Sequence, residues 1–227
     1  MVEAEVAVAR AAGRVVLVAG ATGLVGREVL AALLADNNTL AVHSLGRRAI
    51  GVHHAKLTEH LLPDLSAMPP LPALDDVYIA LGTTIKVAGS QASFRAVDFD
   101  AVVAVARAAR TAGATRLGVV SAMGADASSK VFYNRVKGEM EQAIAGLGFA
   151  SVVVARPSLI DGDRGALAQL PRAAEGLGLR LMRVLRPLIP ANYRAIHAKD
   201  IARSLLGAVQ HGRPGVRVLL SGELQPR

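Results

Sequence analysis

Residues 15–26 of this chain read VVLVAGATGLVG, an unbroken apolar run followed by three glycines spaced three apart. The run over residues 15–19 is typical of a strand buried on both faces of a parallel sheet. From residue 24 to 34 the apolar residues recur with helical spacing, which predicts a helix. A strand, a glycine turn and a helix in this order predict a doubly wound parallel α/β sheet of the Rossmann type, with helices on both faces.

The glycine turn itself predicts contacts with a dinucleotide. The first glycine permits the tight turn, the second lets phosphates approach the backbone, and the third lets helix and strand pack closely. The start of the helix offers unpaired N–H groups to a pyrophosphate. The spacing is GxxGxxG rather than GxGxxG, so a plain tight turn remains an alternative. The residues predicted to contact the cofactor here are Gly20, Thr22, Gly23, Leu24, Val25 and Gly26.

The end of the second predicted strand, residues 40–45, indicates which dinucleotide is bound. Arg47 and Arg48 follow that strand, and no carboxylate occurs between residues 40 and 48. NAD-selective sites end this strand with a carboxylate, whereas NADP sites supply arginine for the 2′-phosphate. Each charge-assisted hydrogen bond to that phosphate contributes about 1.5–3 kcal/mol. We predict that NADP(H) is favoured over NAD(H); two solvated surface arginines are the alternative.

Tyr133 and Lys137 are the predicted centre of the chemistry. They are four residues apart in a segment with helical spacing of apolar residues, which places both side chains on one face. An ammonium beside a phenol favours the ionised phenol, so such a tyrosine can exchange a proton with a carbonyl or alcohol oxygen. Lys137 is also suited to hold the nicotinamide ribose. An exposed, solvated pair is the alternative.

Ser121 completes the predicted catalytic set. Residues 117–120 read as a buried strand, and Ser121 follows it, where an open α/β sheet presents its ligand crevice. A hydroxyl at that place can donate a hydrogen bond to a substrate carbonyl. Serines are also common turn residues at strand ends, so this position alone carries little weight.

Together these motifs resemble the short-chain dehydrogenase/reductase superfamily, in its atypical branch of NAD(P)H-binding, Tat-interacting-protein-like oxidoreductases. The resemblance runs from about residue 14 to 208 and implies a Rossmann-type fold, NADPH as cofactor, and Ser121, Tyr133 and Lys137 as the catalytic trio. It also implies cofactor contacts from Leu81, Gly82 and Thr83 on the adenosine side and from Pro157 and Ser158 near the nicotinamide. Asp98 stands where many superfamily members have asparagine. The stretches that carry the resemblance are residues 20–26, 81–84, 97–100, 121–126, 133–139 and 156–158.

Composition fits one domain over residues 1–227, large enough for a substantial core. No apolar run reaches the ~18 residues that span a bilayer, no secretory signal is evident, and cysteine is absent. We therefore expect no integral membrane association, no thiolate metal site and a cytoplasmic location. The net charge of +8 is spread over scattered arginines, and aromatic residues are too few for base stacking, so we expect no nucleic-acid partner. The histidines show no metal-ligand spacing.

The remaining pattern predicts strands at residues 55–61, 76–81, 150–155 and 216–220, with another beginning near Thr115. One long helix is predicted over residues 90–112, and Gly148 is the predicted stop of the helix that carries Tyr133. Asp200 is predicted to cap a helix through residue 208. Residues 159–197 are predicted to form a small, arginine-rich cap on the substrate side, with Tyr193 and His197 near the nicotinamide. A solvated helical face above buried leucines and a basic amphipathic surface that touches a membrane are the alternatives for this segment.

Two functions therefore remain at the level of sequence. In the first, the protein transfers a hydride between NADP(H) and a small carbonyl or alcohol, with Tyr133 as general acid or base. In the second, it binds NADPH without turnover and acts as a sensor through a protein partner. The phenol–ammonium pair favours the first, because a sensor has no need of it.

Overall fold

The computed structural model describes residues 13–65, 68–161, 190, 192 and 194–225. Most of the predicted cap, including Tyr193 and the arginines between residues 164 and 186, lies outside the described residues. The strands of the described part are β1 (Arg14–Ala19), β2 (Thr39–Gly46), β3 (Leu57–Leu61), β4 (Asp76–Ile79), β5 (Arg116–Val120), β6 (Ser151–Arg156), β7 (Ile160–Asp161), β8 (Ile196–His197) and β9 (Gly215–Leu220).

The helices of the same described part alternate with these strands. They are α1 (Leu24–Ala35), α2 (Ile85–Ala88), α3 (Gln91–Arg95), a π-helical segment (Ala96–Ala101), α4 (Val102–Thr111), α5 (Phe132–Ala145), α6 (Ala198–His211) and α7 (Ser221–Leu224).

Within the described residues, seven parallel strands form one sheet in the order β3-β2-β1-β4-β5-β6-β9. The chain runs outward from β1 through β2 to β3 and then returns to the other side of β1 to form β4. This reversal opens a crevice at the carboxyl ends of β1 and β4, where ligands bind in open α/β sheets. The predicted Rossmann-type fold is confirmed.

Strand β1 lies at the centre and is buried on both faces, as its unbroken apolar run predicted. Val16 and Val18 pack into a cluster with residues of α1 and α6 on one face. Leu17 and Ala19 pack into a second cluster with residues of α4 and α5 on the other face. The glycine turn after β1 is therefore anchored to a strand that is fixed from both sides.

The predicted helix over residues 90–112 is found as a continuous helical stretch from Gln91 to Thr111, but it contains a π-helical segment that the sequence analysis did not foresee. Gly89 adopts a left-handed φ of +82° and ends α2, and Ser90 then caps α3 by accepting a hydrogen bond from the Ser93 N–H. The π-helical segment follows, in place of regular α-helix, and carries Asp98. The spacing of apolar residues does not distinguish a π-helical turn from an α-helical turn, because both turn types place a similar set of residues toward the core.

Four predicted boundaries also differ. Strand β4 ends at Ile79 rather than residue 81, and α5 ends at Ala145 with Gly146 as its C-cap, so Gly148 is not its stop. Helix α6 begins at Ala198 and continues to His211. Asp200 is thus in its first turn and not at its cap; there its charge still complements the helix dipole.

Candidate cofactor and catalytic site

The glycine turn lies in close contact with the residue after β4 on one side and with α1 on the other. Gly20 adopts a φ of +86°, and a Cβ at that position would lie 2.6 Å from the carbonyl oxygen of Ala80, just after β4. A Cβ on Gly26 would lie 2.1 Å from the Gly20 carbonyl oxygen, and one on Gly23 would lie 3.3 Å from the same atom. Only glycine fits at residues 20 and 26, since in both cases the obstacle is backbone.

The start of α1 presents backbone donors at this turn. Gly23 is the N-cap and has no side-chain cap, and the first helical hydrogen bond runs from the Arg27 N–H to the Gly23 carbonyl at 3.1 Å. The N–H groups of residues 24–26 therefore lack partners within the helix. The side chains of Leu24 and Val25 are buried in the core, so these residues can meet a ligand only through backbone.

Arg47 and Arg48 lie exposed directly after β2. No ion pair to either arginine is found among the described residues. The turn that carries them is tied to the sheet, because the Ile50 N–H donates to Glu59 Oε2 on β3 at 2.9 Å. Asp36 precedes β2 and lies at the opposite end of the strand from these arginines.

Lys137 is buried and holds a charged partner. Its Nζ lies 2.6 Å from Asp98 Oδ1, and the two side chains are 4% and 1% exposed. Asp98 Oδ2 also accepts a hydrogen bond from the Thr83 N–H at 2.9 Å. A Cβ on Gly82 would lie 3.8 Å from Lys137 Nζ, so the Leu81–Gly82–Thr83 loop passes directly over the ion pair.

Tyr133 stands one helical turn before Lys137 on α5 and is partly buried. Its ring packs on Phe94 of α3 with centroids 5.3 Å apart, and Phe94 in turn meets the ring of Phe132 edge-on at 5.9 Å. No hydrogen bond to the Tyr133 hydroxyl is found among the described residues. The phenol is thus held by apolar contacts while its oxygen has no described protein partner.

A continuous path of close approaches joins the glycine turn to α5. Gly20 abuts Ala80, the residue after β4, and two residues further on Gly82 abuts Lys137 and Asp98. The two motifs that the sequence singled out, more than 100 residues apart, therefore lie on opposite sides of one short loop. This closeness was expected from the sheet topology, which brings the ends of β1, β4 and β5 to one edge.

Ser121 follows β5 as predicted, but its hydroxyl has a partner that the sequence analysis did not foresee. Ser121 Oγ donates to Glu141 Oε1 at 2.5 Å. Arg156, the last residue of β6, donates to both oxygens of Glu141, from Nε at 3.1 Å and from Nη2 at 2.6 Å. These hydrogen bonds and the nearby Glu141 charge raise the pKa of Arg156, against the opposing effect of burial.

Pro157 and Ser158 both form hydrogen bonds with other parts of the protein. The Pro157 carbonyl accepts the Met123 N–H at 3.0 Å. Ser158 Oγ donates to the Arg194 carbonyl and accepts a hydrogen bond from Ser221 Oγ at 3.0 Å. The Ser158 hydroxyl therefore joins the end of β6 to α7, and its predicted contact with the cofactor stays a prediction.

Glu141, Arg156 and Phe94 were missed by the sequence analysis. Glu141 had a usable signal, since it lies four residues after Lys137 and eight after Tyr133 and so shares their helix face. Arg156 and Phe94 had none, because their partners lie far away in sequence. Among the described residues, no group of three or more histidine, aspartate or glutamate side chains is placed to hold a metal ion.

The chain is similar in sequence to several known proteins. No family model matches the chain. Protein fmp52, mitochondrial, of Emericella nidulans is 36% identical over 156 residues, covering 64% of this chain and 66% of that protein. Protein fmp52-1, mitochondrial, of Aspergillus terreus is 36% identical over 165 residues, covering 68% of this chain and 70% of that protein. The chain thus spans about two thirds of the length of these relatives.

The names of these relatives overturn one expectation. A cytoplasmic location was expected, but the relatives are named as mitochondrial proteins. The expectation was wrong because a missing secretory signal excludes one route without selecting the cytoplasm. The Tat-interacting-protein-like branch stays a prediction. Within the described residues, no helix combines the length and apolar character needed to cross a membrane.

Solved structures agree with the fold. MoeE5 in complex with UDP-glucose and NAD matches with a TM-score of 0.68 and 19% identity, over 91% of this chain and 75% of that one. A short chain dehydrogenase family protein from Francisella tularensis matches with a TM-score of 0.68 and 14% identity, over 93% of this chain and 99% of that one. At such low identity these likenesses concern the fold alone.

Proposed function

The chain belongs to the Fmp52 protein family, and we propose that it is an NADP(H)-dependent oxidoreductase of the short-chain dehydrogenase/reductase type. Its substrate is a small carbonyl compound or the corresponding alcohol. The observation that carries the proposal is the short path from the glycine turn to the buried Lys137–Asp98 pair. A dinucleotide seated on the turn would run along this path toward Tyr133.

The residues present fit a dinucleotide. Gly20 and Gly26 let the strand, the turn and the helix pack closely, and Gly23 carries no side chain that would keep phosphates from the backbone of the turn. The N–H groups of residues 24–26, which have no partner within the helix, and the positive end of the α1 dipole favour an anion there. When bound, the cofactor supplies or accepts the hydride.

The proposed catalytic residues Tyr133 and Lys137 both lie on α5. Tyr133 gives its phenolic proton to a carbonyl oxygen in reduction and takes a proton from an alcohol in oxidation. Packing on Phe94 fixes the ring, so the hydroxyl needs little reorganisation to meet the substrate. Lys137 keeps donors free beyond the one that faces Asp98, because an ammonium carries three, and these suit the ribose hydroxyls.

The choice of NADP(H) rests on charge at the end of β2. Arg47 and Arg48 are exposed and can each form charge-assisted hydrogen bonds to a 2′-phosphate. We expect NADPH to bind more tightly than NADH in a fluorescence titration. Arg47→Ala should narrow that gap roughly 10- to 100-fold, with Arg48→Ala compared in parallel. A ratio of affinities unchanged in both variants would overturn the assignment of the 2′-phosphate contact.

Turnover is tested by substituting the phenol. We expect consumption of NADPH with a panel of small aldehydes and ketones, and we expect Tyr133→Phe to lower kcat by roughly 10²–10⁴-fold while NADPH affinity persists. Tyr78→Phe is the matched control, because the Tyr78 hydroxyl is buried without a hydrogen-bond partner among the described residues. NADPH binding without turnover across the panel would favour the sensor that acts through a protein partner.

A further inference from the structure

The short helix α2 presents large apolar side chains to solvent. Ile85 is 37% exposed and Val87 is 64% exposed, and none of the four described residues of this helix is buried. Val131, directly before α5, is likewise 58% exposed. These side chains contribute little to the core, because an apolar side chain stabilises the fold in proportion to the area it buries. They are therefore available to a ligand.

Helix α2 is attached to the buried ion pair of the site. The Thr83 N–H donates to Asp98 Oδ2 at 2.9 Å, and Asp98 pairs with Lys137. Thr84, the next residue, caps α2 by accepting a hydrogen bond from the Val87 N–H at 3.2 Å. The backbone of Val87 is therefore fixed, through two successive threonines, to the ion pair at which the proposed cofactor path ends.

A second connection runs through the aromatic rings beside the phenol. Gly89 ends α2 with a left-handed φ of +82°, and the chain then continues into α3, which α2 contacts. Helix α3 carries Phe94, whose ring centroid lies 5.3 Å from that of Tyr133. Val131 stands two residues before Tyr133, at the start of α5. The three exposed side chains thus lie on segments that adjoin the phenol, which isolated exposed residues on a surface need not do.

We infer that Ile85, Val87 and Val131 form an apolar wall at the entrance to the site, and that the substrate is a carbonyl compound whose hydrocarbon chain lies along this wall. The inference rests on the proposed function and deepens it, because it names the class of the substrate. The carbonyl oxygen meets Tyr133, while the chain extends outward over side chains that otherwise face water. Transfer of the chain from water to apolar surface is favourable, so a longer chain should bind more tightly.

The same three side chains are a small surface for a membrane contact. A single myristoyl chain binds a bilayer only marginally, and two valines and one isoleucine together carry fewer side-chain carbon atoms than that chain. They also lie on segments joined to the phenol and to the buried ion pair, rather than on a remote face. A substrate chain is therefore the occupant that these positions favour, and vesicle binding is an outcome of the test.

The experiment measures kcat/KM with NADPH for straight-chain aldehydes from propanal to heptanal. In the wild type we expect kcat/KM to rise about 2- to 4-fold with each added methylene group, since complete burial of one methylene contributes a factor of about four. In a variant that carries both Val87→Ser and Val131→Ser, the increment should fall below about 1.5-fold. An increment equal to that of the wild type, or a wild type that reduces propanal and heptanal equally well, would overturn the inference.

The variants are chosen so that the fold is kept. Val87 is largely exposed, and Val131 is the N-cap of α5, a position at which serine is favoured. Val216→Ser is the matched control, because Val216 is 54% exposed and lies on β9 at the edge of the sheet. This control should keep the wild-type increment, and a loss of the increment in Val216→Ser as large as in the double variant would contradict the inference.

Binding without turnover separates this inference from the proposed function. Propanamide and heptanamide match the two ends of the aldehyde series and are not reduced by NADPH. In calorimetry with saturating NADP⁺, we expect heptanamide to bind the wild type at least about 10-fold more tightly than propanamide, and the double variant to lose this preference. If the wild type reduces none of the aldehydes, the proposed function fails, and a retained preference for heptanamide still supports the apolar wall. Equal affinities for the two amides in the wild type would overturn it.

Sedimentation with anionic phospholipid vesicles completes the test. Binding of the wild type but not of the double variant, together with an unchanged aldehyde increment, would assign the three side chains to a lipid surface and overturn the inference. A wild type that stays in the supernatant while it prefers heptanamide supports the substrate chain as the occupant.

Discussion

Replacing Asp98 by asparagine removes a buried charge and keeps the shape of the side chain. In this Asp98→Asn variant the side-chain amide oxygen would still accept the Thr83 N–H, which now donates to Asp98 at 2.9 Å. The new amide nitrogen, however, would face the Lys137 ammonium, which now lies 2.6 Å from Asp98 Oδ1. Two donors would oppose each other in a buried site.

The size of the effect follows from burial. The two side chains are 4% and 1% exposed, so solvent cannot replace the lost partner. Removal of one member of a buried ion pair typically costs about 3–5 kcal/mol. In a domain of this size each kcal/mol lowers the melting temperature by about 2–4 °C, so we expect Asp98→Asn to melt roughly 6–20 °C lower.

Urea unfolding followed by circular dichroism measures this cost, and a double-mutant cycle isolates the pair. Lys137→Met should be destabilising by a similar amount because it leaves Asp98 without its counter-ion. The double variant should cost clearly less than the sum of the two single ones, since it leaves no buried charge unpaired. A loss below about 1 kcal/mol in Asp98→Asn, or strict additivity, would refute the view that these residues form a buried pair.

Two further predictions concern the glycine turn and the edge of the sheet. Gly26→Ala should destabilise the fold by about 1–3 kcal/mol in a urea titration and weaken NADPH binding, because the new Cβ would lie 2.1 Å from the Gly20 carbonyl oxygen. Gly207→Ala on α6 is the control: its Cβ would lie in open space, so the free energy of unfolding should be unchanged or higher. Burial, and to a lesser extent the neighbouring His60, lower the pKa of His43, so the unfolded chain binds its proton more readily and stability should fall as pH drops below about 6.5. His43→Asn should flatten this part of the stability–pH curve. An identical slope in the wild type and in His43→Asn would show that His43 is not the source of the pH dependence.

Much of the fold could be predicted because its signals are local. The apolar run before Gly20 and the helical spacing after Gly23 depend on residues adjacent in sequence, and β1 and α1 lie where these patterns indicated. The helical repeat around Tyr133 likewise predicted α5. Boundaries were less accurate, since apolar spacing continues past Ala145 even though the helix ends there.

The candidate site was predicted only in part because its contacts are made between distant residues. That Tyr133 and Lys137 share a helix face follows from their spacing. That Asp98 pairs with Lys137 depends on a π-helical turn 39 residues earlier in the chain, for which apolar periodicity gives no signal. The hydrogen bond from Ser121 to Glu141 depends on how β5 packs against α5, so the position of Ser121 after a strand does not predict the partner of its hydroxyl.

The central position of β1 bears on how the chain is made. Val16 of β1 pairs with Asp76 of β4, so the strand has only one of its two neighbours until some sixty further residues have been synthesised. At ordinary ribosomal speeds this interval lasts roughly 3–12 seconds. During that time one edge of an apolar strand stays open, and an open edge of this kind can pair with another chain.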